Sequence, residues 1–323
     1  MRPRLVSAST AFLCVLAAGA GGAQGYPDKP IRFVVPYVAG GAADIVGRAI
    51  AQKLAESFGV PVIVDNRAGA GGNLGTDLVA KSAPNGHTLL MGNVGPLAIN
   101  VSLYRKLPYD PLADLAPVSL MVIYPNVLVV HPGIAAKSLS ELVALAKARP
   151  GQLAYASAGN GSSTHLAAEL LKSMAAIDMT HIPYKGGAQA IVDVMAGQVQ
   201  MYFSSTLGAL PHIKSGKLRA LAVTSLKRPR AMPELPTIAE SGYPGYEAVN
   251  WLGLMVPART PAGIVTRLNG EIVNIFRQPE FEERLSAQGG EAQTTTPAQF
   301  AMHIRSEIRK WAQVIKASRM AQE

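Results

Sequence analysis

Two short segments carry the residue types that could do chemistry. The first, Val38-Ala39-Gly40-Gly41-Ala42-Ala43-Asp44, follows an apolar run and opens an amphipathic one. Adjacent glycines let backbone N–H groups approach a ligand unobstructed, and the unpaired N–H groups of a following helix add partial positive charge. The second, Ser157-Ala158-Gly159-Asn160-Gly161-Ser162-Ser163-Thr164-His165, has a similar design with hydroxyls added. Two such loops on one chain predict a two-sided grip on a small carboxylate.

Other chemistries fit less well. Ala156-Ser157-Ala158-Gly159 has the outline of a nucleophile elbow, which makes a serine hydrolase the alternative from another class. Tyr155, however, stands where the tight turn needs Gly, and no Asp/Glu and His pair is placed to complete a triad. Gly69-Ala70-Gly71-Gly72-Asn73-Leu74-Gly75 imitates a dinucleotide fingerprint, but Leu74 sits where the spacing demands Gly, and no ribose-binding acid ends the next strand. The six histidines show no metal-ligand spacing, so neither a metal nor a cofactor is expected.

Elements must position these loops. Strand-like runs are Ile31 to Val35, Val60 to Val64, Thr88 to Met91, Asn126 to Val130, Leu153 to Ala156, Val199 to Phe203, Leu218 to Thr224 and Gly253 to Val256. Helical stripes lie between them, at Ile45, Val46, Ala49, Ile50 and Leu54, at Leu139, Leu142, Val143 and Ala146, and at Leu268, Ile272, Ile275 and Phe276. The alternation predicts α/β layers, and the length predicts about two domains at ~150 residues each. Asn126 to His131 and the segment around Val249 to Met255 read as paired crossing strands. Domain 1 is then 26–128 plus 252–323, domain 2 is 129–251, and residues 1–25 form a leader.

That leader reads as a secretory signal peptide. Arg2 and Arg4 precede an uncharged apolar run from Leu5 to Ala18, and Ala23-Gln24-Gly25 offers a cleavage site before Tyr26. The run is shorter than the ~20 residues of a spanning helix. Cys14 is the only cysteine, so its removal leaves no disulfide, thiolate site or cysteine nucleophile. Net charge is +9 and falls by two, to +7, with Arg2 and Arg4 gone. A basic surface attracts anions, but Lys and Arg are scattered without interleaved aromatics, so no nucleic-acid partner is expected.

The ordered motifs Tyr26-Pro27-Asp28-Lys29-Pro30-Ile31-Arg32, Ala39-Gly40-Gly41 with Asp44, and Val64-Asp65-Asn66-Arg67-Ala68-Gly69-Ala70-Gly71-Gly72-Asn73 closely resemble the Bug-type, TctC-like substrate-binding proteins of tripartite tricarboxylate transporters. Ala83 to Leu89, Tyr104 to Pro111, His181 to Gly186 and Gly197-Gln198-Val199 continue the match along the mature chain. The resemblance implies a periplasmic, monomeric, non-catalytic type II periplasmic binding protein fold, two α/β domains on a two-strand hinge, that delivers its ligand to membrane permease subunits. A receptor feeding a sensor kinase would use the same binding chemistry. Carried over by position, the first-domain contacts are Tyr37, Ala39, Gly40, Gly41, Asp44 and Asn93. Those of the second domain are Ser157, Gly159, Gly161, Ser163, Thr164, His165, Tyr184 and Ser204.

Several of these have a structural reading beside the functional one. Asp44 suits the first turn of a helix, one of Ser162, Ser163 and Thr164 must be an N-cap, and His165 at a helix N-terminus should stay neutral. Many members of that family carry an acidic residue directly after the phenylalanine at 203, where this chain has Ser204-Ser205. The missing acid shifts the expected ligand from an amino acid to a plain mono- or dicarboxylate, including an aromatic one.

Overall fold

The structure, a computed structural model, describes residues 25–317. The signal-peptide expectation lies outside the described residues except for Gly25. In chain order the first lobe opens with β1 (Ile31–Val35), α1 (Ala42–Phe58), β2 (Val62–Asn66), α2 (Asn73–Ala80), β3 (Thr88–Asn93) and α3 (Asn100–Leu103). β4 (Leu115–Val130) then leads into α4 (Leu139–Ala148), β5 (Ala154–Ser157), α5 (Ser163–Ala175), β6 (Thr180–Pro183), α6 (Gly187–Met195), β7 (Met201–Ser205), α7 (Thr206–Lys214) and β8 (Arg219–Val223). The chain returns through β9 (Val249–Pro257) to α8 (Ala262–Phe276), α9 (Pro279–Ala287), β10 (Glu291–Ala292) and α10 (Pro297–Ala317).

β1 lies between β2 and β3, all parallel, as strand–helix–strand units require, and β9 joins β3 antiparallel. The helical stripes bury what their spacing predicts. Val46, Ile50 and Leu54 of α1 and Leu268 and Ile272 of α8 pack with Ile31, Phe33 and Val35 of β1 in one core. Each fully buried aliphatic side chain there contributes about 1.5–3 kcal/mol. In the second lobe β5 pairs parallel with β6 and β7, and β7 meets β4 antiparallel. Val127, Val129 and Tyr202 pack there on Ala190, Ile191 and Val194 of α6.

One long strand joins the lobes. β4 pairs with β9 from Leu115 to Pro125, then with β7 and β8 from Asn126 to Val130. Pro125 has no N–H to extend the first ladder, which gives the change of partner a local cause. Thr224 stitches both crossings: its N–H donates to Asn126 O (2.9 Å), its hydroxyl donates to Ala248 O (2.8 Å), and Ala248 N–H returns to Thr224 O (2.9 Å). The fold is the expected two-domain α/β type.

Candidate functional site

Four helices of two lobes aim their N-termini at one cavity. Gly41, Ala42 and Ala43 come from the start of α1, Ser163 and Thr164 from α5, Gly187 and Ala188 from α6, and Ser205 and Gly208 from α7. Strand ends supply Tyr37, Asn93, Tyr202, Ser204 and Asn250, and the interior of β4 supplies Tyr124. No lining residue is Asp, Glu, Lys, Arg or His. The positive character of the site therefore comes from helix dipoles and unpaired N–H groups.

The first loop is held from behind. Gly40 takes a φ of +83°, open mainly to glycine, and its N–H donates to Asp44 Oδ2 at 2.9 Å. The same carboxylate accepts from Arg48 Nε (3.0 Å) and, through Oδ1, from Asn66 Nδ2 (2.9 Å), and Asn66 also donates to Tyr37 O. Burial opposes ionisation of Asp44, but the Arg48, Gly40 and Asn66 hydrogen bonds outweigh it and lower its pKa. All three of its donors are protein groups, so the carboxylate shapes the loop and does not line the cavity. The N-cap of α1, Gly41, has no side chain to cap the helix, and α6 begins the same way at Gly186.

The second loop binds itself. Ser162 is the N-cap of α5, its Oγ accepting from His165 N–H at 3.3 Å. Thr164 Oγ1 accepts from Ala158 N–H (2.9 Å) and lies 3.0 Å from Ser162 Oγ. Gly161 N–H donates to His165 Nδ1, Gly159 N–H donates to Ser157 Oγ, and Ser157 Oγ sits 2.6 Å from His181 Nε2. The rings of His165 and His181 stack at 4.1 Å, and Tyr155 stacks on the far side of His181 at 4.8 Å. Burial, then Lys172, pushes His165 down to about 4. Burial and the neighbouring His165 push His181 down to about 3, against the opposing pull of Glu169. Both are neutral near pH 7, as the helix N-terminus predicts for His165.

Of the sequence-predicted contacts, Tyr37, Gly40, Gly41, Asn93, Ser163, Thr164 and Ser204 stand on the cavity wall. Ala39 is on the exposed side of its loop. Asp44, Ser157, Gly159, Gly161 and His165 stand behind the wall and shape it. Tyr184 opens onto a neighbouring cleft with Gly71, Asn160 and Lys185, its hydroxyl donating to Asp193 at 2.6 Å. Sequence reasoning did not single out Gly187, Ala188, Ile191, Gly208, Tyr124, Tyr202 or Asn250. Only Asn250 left a signal, as an amide inside the apolar run Val249–Pro257.

The lobes touch closely. A Cβ on Gly71 would lie 2.0 Å from the carbonyl oxygen of Asn160, and Gly71 has a φ of +62°. As for hydrolase chemistry, Ser157 and His181 do pair, but Ser157 is 0% exposed and an imidazole titrating at about 3 is a weak general base. Among the described residues no cluster of His, Cys, Asp or Glu could hold a metal ion, and no helix is long and apolar enough to cross a membrane.

Comparison with known proteins places the chain in a family. Residues 46–320 match the family described as tripartite tricarboxylate transporter family receptor. Protein BugT of Bordetella pertussis is 43% identical over 297 residues, covering 91% of this chain and 90% of BugT. The structure of Rhodopseudomonas palustris Rpa4515 with adipate is 35% identical with a TM-score of 0.90, over 92% of this chain and 99% of that one. MatC from the same organism with bound malate is 32% identical with a TM-score of 0.87, over 90% and 100%. On fold, site and similarity together, this chain belongs to the Bug-type, TctC-like receptor family of the tripartite tricarboxylate transporters.

Proposed function

We propose that the protein is a periplasmic solute receptor that closes its two lobes on a small mono- or dicarboxylate, aliphatic or aromatic, and hands it to the membrane subunits of a tripartite transporter. The observation that carries this reading is the meeting of two helix N-termini without side-chain caps, those of α1 and α6, across a cavity with no charged side chain. Such a site favours an anion whose charge is met by N–H groups and hydroxyls, at roughly 1.5–3 kcal/mol for each charge-assisted bond. A cationic amine would find no carboxylate there to balance its charge. Adipate and malate in the two similar structures are carboxylates of this class.

The two moving bodies are 26–128 with 252–323, and 129–251, turning about the crossings that Thr224 stitches. The chain acts as a carrier and performs no turnover, after export through the leader at residues 1–25. A thermal-shift screen of adipate, malate and benzoate against their amides and neutral sugars tests the reading. A carboxylate at ~100-fold over its dissociation constant adds about 2.7 kcal/mol, and the amides add nothing. Stabilisation by sugars and by no carboxylate would rule it out.

A further inference from the structure

Asn250 is the polar exception in the apolar strand β9 and is 5% exposed. Its oxygen accepts from Trp251 N–H at 2.8 Å and from Asn93 Nδ2 at 2.9 Å, while its own Nδ2 donates to Ser163 Oγ at 2.7 Å. Asn93 Oδ1 in turn accepts from Gly95 N–H at 3.0 Å and lies 3.0 Å from the Tyr37 hydroxyl. Backbone N–H groups can only donate, so Gly95 and Trp251 fix which end of each amide is oxygen. Turning Asn93 over would aim its NH₂ at Gly95 N–H. Turning Asn250 over would bring three donor groups face to face. The chain therefore runs one way, from Gly95 through Asn93 and Asn250 to Ser163, whose oxygen is the acceptor at its end.

We infer that Asn250 is a positioning residue that makes this wall a hydrogen-bond-donor surface. Because Ser163 already accepts from behind, its hydroxyl proton is left for the cavity. Both amide oxygens face protein donors, so Asn93 and Asn250 have their remaining N–H groups to offer. Ser162 and Thr164 differ, since their hydroxyls are engaged within the second loop. This deepens the carboxylate reading and rests on it: the wall takes a ligand that presents an unprotonated acceptor and disfavours one that presents a donor.

The test compares Asn250→Asp with Asn93→Asp in the mature chain, first without ligand. Asp at 250 would accept from Trp251, Asn93 and Ser163. Asp at 93 would set its second oxygen against the oxygen of Asn250. Carboxyl NMR titration should place the 250 carboxyl at least ~1 pH unit below the 93 carboxyl. If Asn93→Asp fails to fold while Asn250→Asp folds, the same polarity has been read as stability.

Calorimetry with adipate follows. Asn250→Asp should weaken binding by ~100-fold or more, since a like charge now faces the ligand and the Ser163 proton turns away, and Ser163→Ala by about tenfold. The inference is overturned if the 93 carboxyl titrates at or below the 250 carboxyl, if only Asn93→Asp folds, or if Asn250→Asp binds adipate within twofold of wild type. A wild type that binds none of the carboxylates, with the titration order as expected, would refute the carboxylate reading and support the relay.

Discussion

The helix N-termini α1 and α5 face the same cavity and are finished differently. α1 starts at Gly41 with no side chain over its first N–H groups, whereas α5 starts at Ser162, whose hydroxyl already occupies one. Behind α1, Asp44 and Asn66 hold the loop from the rear and leave its front bare. Around α5 the hydroxyls, imidazoles and N–H groups bond largely to one another, leaving Ser163 as the outlier. The difference teaches that a glycine-rich loop in front of a helix can be an unfinished anion site, while a hydroxyl-rich one can be a finished scaffold. Substitutions in the first loop should change affinity, and those in the second should change stability.

The comparison can be broken most severely where the lobes meet. Gly71→Val places a side chain against the Asn160 carbonyl and forces a positive φ, so closure should fail and carboxylate affinity fall by ~100-fold or more. Small-angle scattering would show no ligand-induced compaction, and circular dichroism would remain folded. Next, Gly41→Asp finishes the unfinished end by placing a carboxylate over the first N–H groups of α1. Unfolding stability should rise by a few tenths to ~1 kcal/mol while affinity drops about tenfold, as read by denaturant titration and calorimetry. Thr164→Val attacks the finished end instead. Its Ala158 N–H partner is left unpaired, so ligand-free stability should fall by about 1–3 kcal/mol in a thermal melt.

The last effect comes from pH. His165 and His181 are held down to about 4 and about 3, below the ~6.5 of an unfolded histidine. The unfolded state therefore binds more protons between those values, and stability, complete above pH ~6.5, is lost as pH falls through that window. The loss is on the order of 1–2 kcal/mol for each histidine by pH 5. Chemical denaturation across pH 5 to 8 should show this slope, and His165→Gln should flatten part of it.

Much of the fold was legible because β1, β3 and the stripes of α4 and α8 follow plain periodicity. The first part of β4 was hidden by Pro117 and Pro125, which speak against a strand although the ladder with β9 runs past the first and ends only at the second. β6 was hidden by its four residues, Thr180 to Pro183, too short and too polar to alternate. At the site, glycines and hydroxyls marked the two loops, since turns and caps demand those types. Gly187, Ala188 and Gly208 carried no signal, because small residues at a helix start look like any helix start. Asn250 was readable only through the rule that a buried amide needs partners, and its partners, Asn93 and Ser163, lie far away in sequence.

The central claim is that bare helix N–H groups hold the carboxylate, and amide NMR reads them directly. With adipate, malate or benzoate added to saturation, the amide protons of Ala42, Ala43 and Ala188 should move downfield together, with the same apparent affinity that calorimetry gives. Stabilisation by a carboxylate with those three signals unmoved would contradict the account.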